Sequence, residues 1–71
     1  MTGKIIRVVE GKGFGFIEGD KGNSYFLHRS EFEGNWQHLE GEILNDIKVP
    51  VMFEFTESEK GLRAVNCIRI E

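Results

Sequence analysis

Seventy-one residues with one cysteine make a single small domain without an intrachain disulfide, resting on an apolar core that buries about 60% of the unfolded surface. That size excludes a second domain and a deep catalytic cleft. The net charge of −3 argues by itself against a polyanionic partner, but it is uneven: residues 1–30 carry five basic and three acidic groups, a balance of +2, and residues 31–71 carry four and nine, a balance of −5.

One basic working face and an acidic remainder that keeps the protein soluble fit this asymmetry. Cys67 reads as a small core or edge residue in a reducing, cytoplasmic setting. The longest apolar run, residues 49–53, is interrupted by Pro50 and falls far short of a membrane span, and the N-terminus lacks a charged-then-apolar leader. The chain is expected to be a complete, soluble cytoplasmic domain, 1–71, with no membrane partner.

Short runs of β-branched and aromatic residues between glycine-rich turns predict strands throughout. Residues 4–9 form the first. Gly11 and Gly13 supply positive φ for a compact turn, and residues 14–18 return as the second strand of a hairpin. The cluster Gly19-Asp20-Lys21-Gly22-Asn23 turns the chain again into a third strand, 24–28. Ser30-Glu31-Phe32-Glu33 has the capping-box pattern and predicts one short helical turn, which Gly34 ends. Residues 35–48 are polar with scattered apolar positions and read as a long loop, partly ordered around Leu39, Ile43, Leu44 and Ile47.

Val49, Val51, Phe53 and Phe55 alternate with Pro50, Met52, Glu54 and Thr56, the period of a half-buried strand whose first set faces the core. Pro50 belongs near the start of that strand or on an edge. After a charged turn at residues 57–61, residues 62–70 form a fifth strand with Ala64, Asn66, Ile68 and Ile70 on one side. Five short antiparallel strands predict an all-β fold closed into a small barrel, since closure removes exposed edges.

The segment Lys12-Gly13-Phe14-Gly15-Phe16-Ile17 carries the most information. In a strand, Lys12, Phe14, Phe16 and Glu18 share one face. A Phe-x-Phe pair goes to the core more often than not. Here, however, charge flanks the phenylalanine face at both ends, and the strand from Val49 already provides a core wall. Phe26 and His28 share a face of the third strand, opposite Tyr25, Leu27 and Arg29. Aromatic rings interleaved with cations on adjacent strands suit bases and phosphates together, because every base has a π-face that stacks on a ring.

Lys12 to Ile17 resembles the first ribonucleoprotein motif of the cold-shock domain family, and Tyr25-Phe26-Leu27-His28 resembles the second. Gly3-Lys4-Ile5 opens as that family does. Gly61-Leu62-Arg63-Ala64-Val65-Asn66 is similar to its closing strand, with leucine where proline is usual. The resemblance implies a five-stranded antiparallel oligonucleotide-binding (OB-fold) barrel that binds single-stranded RNA or DNA. It carries Phe14, Phe16, Phe26 and His28 over as base-stacking positions, Lys12 as a phosphate contact, and Trp36 close to a further family aromatic. The alternative for Trp36 is a half-buried loop anchor.

This chain departs from the family at several positions: Arg7 replaces tryptophan, Val8 phenylalanine, Arg29 a binding phenylalanine and Ile6 a lysine. The loop after Trp36 is about half a dozen residues longer than the family's. An arginine stacks on a base and also meets a phosphate, so Arg7 and Arg29 either trade ring stacking for cation contacts or are ordinary solvated arginines.

Other chemistries lack a constellation. The glycines at 11, 13 and 15 precede a strand instead of a helix, and no Gly-Lys-Ser/Thr follows, which argues against a nucleotide loop. His28, His38 and Cys67 lack metal-ligand spacing, no serine has an evident base, and no cofactor is implied. The expected function is non-catalytic binding of single-stranded RNA or DNA through Phe14, Phe16, Phe26, His28 and Trp36, with Lys4, Arg7, Lys12 and Arg29 neutralising phosphates. The role expected from the resemblance is an RNA chaperone or a regulator of transcription or translation, acting as a monomer or, through the long loop, as a dimer. The alternative is a protein-interaction module using the same exposed aromatics without nucleic acid.

Overall fold

A computed structural model describes residues 1–70. Its elements are β1 (Thr2–Val9), β2 (Phe14–Gly19), β3 (Ser24–His28), a 3-10 turn (Arg29–Glu31), β4 (Phe32–Glu33), α1 (Trp36–Leu44), β5 (Val49–Ser58) and β6 (Gly61–Arg69). The five long strands lie in the order β3-β2-β1-β5-β6, and β3 pairs back onto β6 to close the barrel. The four other neighbouring pairs in this ring are antiparallel, whereas β3 and β6 meet in parallel at Phe26 and Arg63. Parity demands this: five strands cannot alternate in direction around a closed ring. The two-residue β4 adds to the outer edge of β6, also in parallel.

One core fills the barrel, with Ile5, Ile17, Tyr25, Leu27, Val49, Val51, Phe53, Ala64 and Cys67 almost completely buried. The turn glycines behave as their sequence predicts, Gly11 and Gly13 both standing at φ +75°.

Four expectations are corrected. First, residues 35–48 are more than a partly ordered loop: Trp36–Leu44 form α1, and residues 45–48 connect it to β5. Asn35 caps α1, its Oδ1 accepting from the His38 N–H at 3.0 Å, and Leu39 and Ile43, one turn apart, enter the core beside β1 and β5. The helix ends with Asp46 at φ +64°, while the N–H groups of Asp46 and Ile47 donate back to the carbonyls of Ile43 and Glu42. Leu44 and Ile47, expected to help order this stretch, lie on the exposed side.

Second, the short helical turn begins at Arg29 instead of following a Ser30 cap. His28 caps it, with Nδ1 accepting from the Ser30 N–H at 3.1 Å. The Ser30 hydroxyl is held by the same ring nitrogen at 2.9 Å, and Glu33 is already in β4, so the capping box does not form.

Third, Phe55 is 45% exposed, although Val49, Val51 and Phe53 are buried as expected. β1 pairs with β5 only as far as Met52, so Phe55 stands on a β5–β6 ribbon that projects beyond the barrel, with its ring 5.6 Å from Tyr25. Fourth, Ala64, Asn66, Ile68 and Ile70 do not share one side of the last strand: Ala64 and Cys67 are buried, whereas Asn66 is exposed. Between the pairs Met52–Ile68 and Glu54–Val65, β6 contains one residue more than β5. Asn66 absorbs this bulge at φ +51° and breaks the alternation.

Candidate functional site

On β1, strict alternation from Ile5 would turn Arg7 inward. The register with β2 shifts between Ile5 and Arg7, so Ile6 and Arg7 are exposed in succession and Val8 returns to the core. This bulge puts Arg7 opposite Phe16, with its Cζ 5.8 Å from the ring centroid, at the outer limit of a cation–π contact. Gly15 is obligatory beside it. A Cβ there would run into the Arg7 carbonyl oxygen, closer than packing permits.

Phe14, Phe16 and Phe26 come together on the outer surface of β2 and β3, each half-buried. Phe16 pairs across the strands with Phe26, and Phe14 with His28. Ring centroids lie 5.3 Å apart for Phe14 and Phe26, 6.1 Å for Phe16 and Phe26, and 6.3 Å for Phe14 and Phe16. The edge-on packing of Phe16 against both neighbours supports the rings from the side and leaves ring surface to solvent. The Ser30 N–H bonded to His28 Nδ1 leaves the proton of the neutral ring on Nε2.

At one end of this patch the Arg29 N–H donates to the Gly13 carbonyl at 2.9 Å, and the Arg29 side chain lies against Gly13. Arg29 and Trp36 then line a cleft with the β1–β2 turn. Trp36, the first residue of α1, is half-buried and packs edge-on to Phe32 at 6.0 Å, and its Nε1 is covered with no acceptor among the described residues. The same ring thus packs on Phe32 and lines the cleft. Lys12 is exposed in the adjoining turn. Lys4 is less central: it pairs with Glu18 across the strands, at the margin of the rings.

At the opposite end, barrel closure brings in residues that the sequence reading missed. Phe16 and Phe26 share a groove of about 330 Å³ with Ser58, Lys60, Leu62 and Arg63. Lys60 and Arg63 add two cations beside the rings. The signal available was the resemblance of residues 61–66 to the closing strand of the family, but the parallel register that places Arg63 beside Phe26 is not visible in a linear pattern.

No group of three His, Cys, Asp or Glu able to hold a metal occurs among the described residues. Burial pushes the Cys67 thiol up to about 12, which leaves no thiolate at neutral pH. Among the described residues, no helix is long and apolar enough to cross a membrane.

Residues 1–70 match the family model of the 'Cold-shock' DNA-binding domain. The chain is also similar to "Cold shock-like protein CspE" of Bacillus anthracis, with 34% identity over 70 residues that cover 99% of this chain and 97% of that protein. A closed five-stranded barrel, a ring cluster on β2 and β3 and these two matches agree: the chain belongs to the cold-shock domain family of nucleic-acid-binding domains.

Proposed function

We propose that this protein binds single-stranded RNA or DNA without catalysis, stacking unpaired bases on Phe14, Phe16, Phe26 and His28 and meeting phosphates with Arg7, Lys12, Lys60 and Arg63, with Arg29 adding a cation to the strand path beside Trp36. The observation that carries this reading is the triad of half-buried phenylalanines, rings within 6.3 Å of one another, on a surface with cations at both ends. Such rings contribute about 1–3 kcal/mol per stacked base and tolerate any sequence. A bound strand is kept from pairing, so the biological role is that of a cytoplasmic RNA chaperone or a regulator of transcription or translation, acting as a monomer.

Trp36, the only tryptophan, reports on the site. Its fluorescence should be quenched saturably by short single-stranded pyrimidine-rich DNA and RNA, poorly by a duplex, and less as salt rises. An unchanged signal, with flat anisotropy of a labelled strand, would transfer the exposed aromatics to a protein-interaction module.

A further inference from the structure

The cleft between the β1–β2 turn and α1 has a composition that backbone binding does not explain. Gly11, Gly13, Arg29, Trp36, Gln37 and Glu40 line a volume of about 220 Å³. That is below the roughly 300–1,000 Å³ of a pocket for a drug-sized ligand, and it suits a single flat ring system. Trp36 gives an aromatic wall and Arg29 a guanidinium. Glu40 gives a carboxylate, which repels phosphate. Neither Arg29 nor Glu40 takes part in an ion pair among the described residues, so both charged ends are available to a ligand.

We propose that this cleft is a base-reading subsite that selects guanine, with Arg29 donating to O6 and N7, Glu40 accepting from N1–H and the 2-amino group, and Trp36 covering one face of the ring. Guanine presents two adjacent acceptors and two adjacent donors, so it satisfies a guanidinium and a carboxylate bidentately at once. Adenine and cytosine offer the carboxylate one exocyclic amine, and uracil or thymine one ring N–H. In a single strand the Watson–Crick edge is free to be read in this way. The inference rests on the proposed binding of single strands and adds a preference that stacking alone does not give. Glu40 and Gln37 lie on α1, where the sequence reading expected only a long loop, so the preference belongs to this chain's own helix.

The test is a competition series with the full chain, in which one guanine is moved through each position of a short pyrimidine strand. One position should tighten binding about 5- to 100-fold, the discrimination expected of one good bidentate base contact. The ratio of guanine to pyrimidine affinity should stay nearly constant as salt rises while both affinities fall. Inosine, which lacks the 2-amino group but keeps N1–H, O6 and N7, should lose part of the gain in the native protein, and Glu40→Gln should lower the preference and make guanine and inosine bind alike. Strands that bind equally well with guanine at every position, or a preference left undiminished by both inosine and Glu40→Gln, would overturn the subsite. Absence of binding by every strand would instead remove the nucleic-acid reading beneath it.

Discussion

Phe16 and Phe53 are the same residue type at alternating strand positions, yet they have opposite tasks. Phe53 is 1% exposed, with its ring 4.9 Å from Tyr25, whereas Phe16 is half-buried and leans on other half-buried rings. Phe53→Ala should therefore cost about 3–5 kcal/mol of stability through the lost burial and the cavity left behind. Phe16→Ala should leave urea unfolding little changed and weaken single-strand binding by about 1–3 kcal/mol. A large stability loss with binding intact for Phe16→Ala would place that ring in the core and remove the stacking claim. The flanking charges of the Lys12–Ile17 segment made the outer face of Phe14 and Phe16 legible in the sequence. Alternation along β1 did not show that Arg7 turns outward, because the bulge depends on the partner strand; only the resemblance placed Arg7 among the site residues.

Among the longer elements, α1 was the one hidden from the sequence. Its nine residues send only Leu39 and Ile43 into the core, and Gly41 sits between them, so the helical period is too sparse to stand out from a polar loop. Tertiary packing carries such a short helix. Leu39→Ala should thus lose about 2–5 kcal/mol, and Asn35→Ala about 1 kcal/mol from the cap, both read by denaturant unfolding. The helix is also tied to β6 by Arg69, which donates to both carboxylate oxygens of Glu42, one at 2.9 Å. The Arg69 hydrogen bond lowers the Glu42 pKa. A depressed folded-state value means that this stabilisation is present above the ordinary glutamate pKa of about 4.3 and is lost as pH falls through the lower folded value. Thermal unfolding followed from pH 6 downward should show the native protein losing more stability than Glu42→Gln in that acid range, and parallel curves would mean the tie is solvated and without consequence.

At the scale of the whole molecule, barrel closure decides which charges belong to the site. The five long strands, the meander of the first three, and the ring face of β2 and β3 could be read from residue patterns and turns. The parallel meeting of β3 with β6 could not, because it follows from ring parity and from how far the β5–β6 ribbon extends past β1. That meeting brings Lys60 and Arg63 from the predominantly acidic second half of the chain to the rings of the basic first half, so the division of charge along the sequence understates the basic character of the site. The consequence is measurable as counterion release. With three or four phosphates engaged, log affinity against log salt should fall with a slope of roughly −2 to −3, at about −0.7 per phosphate on a single strand. Lys60→Gln with Arg63→Gln should make that slope shallower by about 1.4 while the preference for single strand over duplex persists on the remaining rings. An unchanged slope would mean that the groove beside Phe16 and Phe26 takes a base without a phosphate. The strand would then run toward Arg29 and Trp36, and the cations added by closure would act in the steering of encounter instead of in the bound state.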